Sequence, residues 1–206
     1  MPEMASDAAA ALDAAGVERA HVFGCSMGGM IAQEFALQYP ARVHSLILGC
    51  TSCGGQQAVR ADPEAMKVLT DRPKMTMEEA LEASAPILYD LGTPRSTIDE
   101  DFIVRRRTYP ASAAYLAQLQ AIYGWQSYDR LPQITMPTLV IHGESDRLVP
   151  PANATLIASR IRGAKLVLLP NAGHLFTTDQ TEAAHEAILA FLQSVSPAES
   201  VAGQTH

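Results

Sequence analysis

Residues 20–30, Ala20-His21-Val22-Phe23-Gly24-Cys25-Ser26-Met27-Gly28-Gly29-Met30, decide the fold. The stretch up to Cys25 reads as a short buried strand. Beyond it Met27, Met30, Ile31 and Phe35 share one face of a helix, which Pro40 ends. Gly24-Cys25-Ser26-Met27-Gly28 fits Gly-x-Ser-x-Gly, a weak signal alone because glycine and serine are common. Here it falls where a strand runs directly into a helix, the context a nucleophile elbow requires. A turn that tight needs small neighbours, and Gly24, Gly28 and Gly29 supply them. A serine held there points its hydroxyl out over the sheet, while Met27 N–H opens the helix as a donor for an oxyanion.

Outward from that stretch, strands and helices alternate. Ser6 is placed as the cap of a first helix with Ala8, Leu12 and Ala15 facing the core and Gly16 as its stop. Residues 43–49 form a second strand. Residues 54–133 hold no convincing strand and read as a helical insertion. Its helices start at Asp62-Pro63, at the Thr76…Glu79 capping box, near Ser96 or Thr97, and after Pro110. Thr138–His142 is a third strand, Pro150-Pro151 opens a helix that stops at Gly163, and Lys165–Leu169 is a fourth strand. Asp179 is placed as the cap of a last helix, and the tail after Pro197 is expected to fray. The fold class is α/β: a parallel sheet of about four strands flanked by helices, with right-handed crossovers. The core is residues 1–53 and 134–206, and 54–133 is the insertion.

A serine hydroxyl is a poor nucleophile without a base. Of six histidines, His21, His44 and His142 fall in strands, where they read as core or surface residues; His185 lies on the last helix and His206 in the tail. His174, in Asn171-Ala-Gly-His174, follows a strand and precedes a helix, and is the candidate base. Its carboxylate partner is sought beyond another strand end, where His142-Gly-Glu-Ser-Asp146 offers Asp146, with Glu144 as the alternative. The order Ser26, Asp146, His174 differs from the chymotrypsin and subtilisin orders.

Composition narrows the rest. Of 206 residues 48 % are hydrophobic and 18 % charged, which excludes a disordered chain. A net charge of −7 argues against nucleic-acid binding. No apolar run approaches the roughly 20 residues of a membrane span. Met1-Pro2-Glu3-Met4 does not read as a signal peptide, so a cytoplasmic location is expected. Cys25, Cys50 and Cys53 are too few and odd in number for a disulfide framework. Cys50-Thr-Ser-Cys53 lacks the strand-to-helix setting of a redox pair and a second ligand pair for zinc. Arg105-Arg106-Arg107 reads as a solvated helix face, with an anion site as the alternative. Trp125 and Tyr128 either line a pocket mouth or anchor the insertion.

Gly24-Cys-Ser-Met-Gly-Gly29, Pro137-Thr-Leu-Val-Ile-His-Gly143 with Asp146, and Gly173-His174 together resemble the α/β-hydrolase family, in its branch of small esterases, enol-lactonases and perhydrolase-like enzymes. The resemblance runs from the first helix to Phe191, and 54–133 falls where that family carries a helical cap. It implies a serine hydrolase of carboxylic esters, with catalytic Ser26, Asp146 and His174, Met27 in the oxyanion hole, and no cofactor or metal. Lactonase or perhydrolase chemistry on the same triad, or a non-catalytic dimerisation module, are the alternatives. The family also has strands and a helix, roughly 50–70 residues, ahead of the first helix seen here. They would carry the second oxyanion donor. Only 25 residues precede Ser26, so the chain is either a fragment or a shortened enzyme. In a chain of this extent strand 20–25 becomes an unguarded edge, and a homodimer through it is expected.

Overall fold

A computed structural model of the chain describes residues 1–195, so the tail after Pro197 lies outside the described residues. Its centre is a four-stranded parallel sheet in the order β1 (Ala20–Cys25), β2 (Val43–Gly49), β3 (Thr138–Gly143), β4 (Lys165–Leu169). Register pairs Phe23 with Ile47, Leu48 with Val140 and Ile141 with Val167. β2 and β3 are buried on both faces, as their near-continuous aliphatic runs require. β1 departs from the expected buried strand: it is an edge whose residues alternate in exposure, with Phe23 48 % and Cys25 also exposed.

One side of the sheet is covered by α1 (Pro2–Ala14), α2 (Met27–Gln38) and α7 (Ala152–Arg160), whose apolar residues pack with Leu46, Leu48 and Val140. The other is covered by α8 (Phe176–Asp179) and α9 (Thr181–Val195), where Phe176, Ala184 and Phe191 meet Ile47, Leu139 and Ile141. α1 starts earlier than Ser6. Pro2 occupies its first turn, where a missing N–H costs nothing, and Ser6 instead donates to the Pro2 carbonyl. Ala5 and Ala9 are its fully buried residues; Ala8 and Leu12 pack half-buried against the same core, and Ala15 is exposed.

Between β2 and β3 run α3 (Pro63–Asp71), α4 (Met77–Leu88), α5 (Arg95–Arg107) and α6 (Ser112–Tyr123). Asp62 caps α3 by accepting the Glu64 N–H. Thr76 and Glu79 form the expected capping box on α4. These helices carry a small core of their own, centred on Leu81, Ile87, Tyr89 and Phe102. The return to the sheet is anchored by Trp125, whose indole N–H donates to buried Glu34 of α2 at 2.7 Å. Trp125 is therefore an anchor and packs with Met1 and Met30.

Candidate active site

β1 ends at Cys25 and α2 begins at Met27, so Ser26 alone makes the turn. Its backbone sits at φ 54°, ψ −121°, a conformation that costs a non-glycine residue free energy and recurs at functional sites. Neighbours hold it there: Ser26 N–H donates to the Gly49 carbonyl at 2.8 Å, and the Thr51 hydroxyl donates to the Ser26 carbonyl at 2.7 Å. A Cβ on Gly24 would lie 2.2 Å from the Gly28 carbonyl oxygen, and one on Gly29 would lie 2.5 Å from Thr51. Gly28 is different, because a Cβ there meets nothing within 4 Å. The steric demand thus falls on Gly24 and Gly29, not on all three expected glycines. Met27 N–H, the first of α2, is among the donors a helix leaves without an internal partner.

His174 lies in the loop between β4 and α8, with its Nδ1 2.8 Å from Asp146 Oδ2. Asp146 follows β3 and is buried, and its Oδ1 accepts the N–H groups of Leu148 at 2.9 Å and Val149 at 2.8 Å. Burial would push this carboxyl up. The His174 charge and the hydrogen bonds from His142 and His174 outweigh it and hold the group down, to about 2. Glu144 is exposed. Ser26, Asp146 and His174 thus stand beyond the carboxyl ends of β1, β3 and β4. No hydrogen bond joins Ser26 to His174 among the described residues.

Other residues around this group were not legible as part of it. His142 is no ordinary core histidine. Its Nε2 lies 2.7 Å from the Val149 carbonyl oxygen and 3.1 Å from Asp146 Oδ2. A carbonyl only accepts, so Nε2 carries the proton. Nδ1 is left buried without a partner. The spacing His142-x-x-x-Asp146 was the only hint. Asp179 does not cap α9. Its carboxylate accepts the Gly173 N–H at 2.7 Å, the Asp90 N–H at 3.0 Å and the Thr93 hydroxyl at 2.7 Å. Together with Leu175 N–H on the Leu88 carbonyl at 2.9 Å, this fastens the His174 loop to the helices after β2. His21 bonds Ser45 at the sheet surface, and His44 and His185 are exposed. His206 lies outside the described residues.

Cys50, at φ 42° and fully buried, brings its thiol beneath Asp146. Cys50, His142 and Asp146 each place one donor atom within 4.8 Å of the others. These groups suit support better than metal ligation. Both Asp146 oxygens already accept hydrogen bonds, His142 Nε2 is committed to Val149, and burial raises the Cys50 thiol well above its ordinary pKa. Burial also raises Cys53, the other half of the C-x-x-C.

A cavity of about 250 Å³ opens beside His174, between α3–α5 and the core, with Leu88, Leu148 and Leu175 among its walls. Arg105 of the basic run faces it. Arg106 pairs with Glu78 on the surface, the solvated face expected of the run.

The family model described as serine aminopeptidase, S33, matches residues 2–181. A poly(3-hydroxyalkanoate) depolymerase of Ectopseudomonas oleovorans is 33 % identical over 195 residues, covering 93 % of this chain and 67 % of its own. A 2-hydroxy-6-oxo-6-phenylhexa-2,4-dienoate hydrolase of Burkholderia cepacia is 30 % identical over 188 residues, covering 88 % of this chain and 65 % of its own. The solved structure of a thermophilic esterase from Thermogutta terrifontis superposes with a TM-score of 0.78 at 28 % identity, over 95 % of this chain and 73 % of the esterase. The chain thus spans about two thirds to three quarters of the length of these relatives.

Proposed function

The chain belongs to the α/β-hydrolase family, in the group described as serine aminopeptidase S33, and from that premise we propose that it is a serine hydrolase cleaving carboxylic esters. The observation that carries this reading is the 2.8 Å line from Asp146 to His174 Nδ1, at the same end of the sheet as a serine on a strained strand-to-helix turn. With Nδ1 donating to Asp146, the Nε2 of His174 is left bare as the base. Ser26 Oγ attacks the acyl carbon and gives its proton to Nε2. Met27 N–H stabilises the tetrahedral oxyanion. His174 then protonates the departing alcohol, and activates the water that releases the acid from Ser26. Residues 54–133 act as a cap over a core of 1–53 and 134–206, and the cavity beside His174 takes the small-molecule ester.

Labelling by a fluorophosphonate probe, together with p-nitrophenyl esters from acetate to palmitate, tests the reading. The parent chain should label at Ser26 and turn over part of the panel, and Ser26→Ala should do neither. A parent that neither labels nor hydrolyses would be a folded module without turnover.

We propose further that two copies pair antiparallel along β1, whose residues 20–25 carry no lysine, glutamate or proline guard and expose Phe23. Light scattering over a dilution series should give twice the 22.1 kDa chain mass at micromolar concentration. A stable monomer there would refute the pairing.

A further inference from the structure

The walls of the cavity beside His174 are largely aliphatic, yet two arginines line it: Arg72, just after α3, and Arg105 of α5. Two other arginines of α5 have carboxylate partners. Arg95 bonds Glu82 and Asp99, and Arg106 bonds Glu78 through two nitrogens. Arg72 and Arg105 form no ion pair among the described residues. Asp101, one turn before Arg105, is instead bound by the Tyr89 hydroxyl.

Both cations are nonetheless held. The Arg72 guanidinium lies 4.4 Å from the Tyr115 ring centroid and 4.7 Å from that of Tyr109, and its Nε donates to the Tyr109 hydroxyl at 3.3 Å. Tyr115 is fixed in turn by its own hydrogen bond to the Leu69 carbonyl. This arrangement fixes the Arg72 guanidinium at the cavity wall with no carboxylate against it. Arg105 Nε is buried with no hydrogen-bond partner. A buried donor left without an acceptor is costly, and the cost is recovered when a ligand supplies one. A planar guanidinium fork fits a carboxylate.

We propose that Arg72 and Arg105 form an anion subsite, so that the preferred substrate is an ester bearing a free carboxylate, such as the half-ester of a dicarboxylic acid. The substrate class rests on the serine-hydrolase reading, because His174 shares the cavity; the anion subsite itself does not. Two esters with one leaving group test it: mono-p-nitrophenyl glutarate, which carries the carboxylate, and p-nitrophenyl valerate, which does not. The parent should favour the glutarate ester in kcat/KM by about ten-fold, the scale of one charge-assisted hydrogen bond. Arg72→Gln and Arg105→Gln should each lower that ratio by a similar factor, while Arg105→Lys, which keeps the charge but loses the fork, should fall between parent and glutamine variant. A variant that merely perturbs the fold slows both esters together and leaves the ratio alone. Binding of glutarate itself, followed by calorimetry, needs no turnover. It should be measurable in the parent and weaken about ten-fold in either glutamine variant. A parent that shows no preference and no glutarate binding overturns the proposal, as do variants that leave both ratio and binding unchanged. Arginine-dependent glutarate binding in a chain that hydrolyses neither ester would uphold the subsite and refute the hydrolase.

Discussion

Replacing Glu34 by glutamine should destabilise the chain by about 2–4 kcal/mol at pH 7, because a buried ion pair that loses one member typically costs about 3–5 kcal/mol. Glu34 sits on α2, with its side chain 4 % exposed. It accepts from Trp125 Nε1 at 2.7 Å, from Gln38 at 2.8 Å and from two Arg130 nitrogens at 2.8 and 3.1 Å. The lower end of the range applies because the Arg130 side chain is 35 % exposed and can be solvated when its partner is gone. The same hydrogen bonds also act on the Glu34 carboxyl. Burial acts to raise its pKa, but the hydrogen bonds from Arg130, Gln38 and Trp125 bring it down from 4.5 to about 2. A displacement of that size corresponds to roughly 3 kcal/mol of native-state stabilisation. Because the folded value is the lower one, this contribution is complete above about pH 5 and is lost as the pH falls towards 2, with about 2 kcal/mol gone by pH 3. Urea unfolding followed through the fluorescence of Trp125, the only tryptophan, measures both quantities. Parent and Glu34→Gln should differ most at neutral pH and converge in acid. A difference below about 0.5 kcal/mol at pH 7, or one that stays constant from pH 7 to pH 3, would refute the reasoning.

Ser26→Ala should abolish hydrolysis of p-nitrophenyl acetate while changing thermal stability little, since no buried volume is removed; equal rates in mutant and parent would sink the nucleophile assignment. Gly24→Ala should unfold the elbow or lower the melting temperature sharply in a thermal scan, because its Cβ would fall 2.2 Å from a backbone oxygen, whereas Gly28→Ala should be close to neutral. Asp179→Ala leaves the Gly173 and Asp90 N–H groups and the Thr93 hydroxyl without their acceptor, so a loss of about 2–3 kcal/mol is expected in urea unfolding, together with a fall in kcat. His142→Phe should lower kcat about ten-fold by removing one donor from Asp146, and His142→Gln, which can donate from the same position, should recover most of it; equal effects of the two changes would reduce His142 to a space-filling role.

What the sequence determined by itself was whatever short-range chemistry encodes. Strands 43–49 and 165–169, the capping box at Thr76 and the cap at Asp62 were legible because each depends on residues within four positions of one another. The turn at Ser26 was legible for the same reason, and the positions of Asp146 and His174 just beyond β3 and β4 could be read from where those strands end. The tertiary structure decided what depends on distant partners. Asp179 has the sequence context of a helix cap, but its acceptors serve Asp90 and Thr93, more than eighty positions away, and Gly173. Glu34 looks like a surface residue of α2 until Trp125 and Arg130 are brought onto it across more than ninety positions. Gly28 looks as necessary as Gly24, and only the backbone approaching Gly24 tells them apart. His142 lies in β3 and Asp146 in the loop just after it, yet the contact between them forms only because β3 buries the ring and the Val149 carbonyl fixes its tautomer. Helical periodicity says which side of a segment is apolar. Which polar group is buried, and against what, is settled only when separate elements close on one another and every buried donor has to find an acceptor.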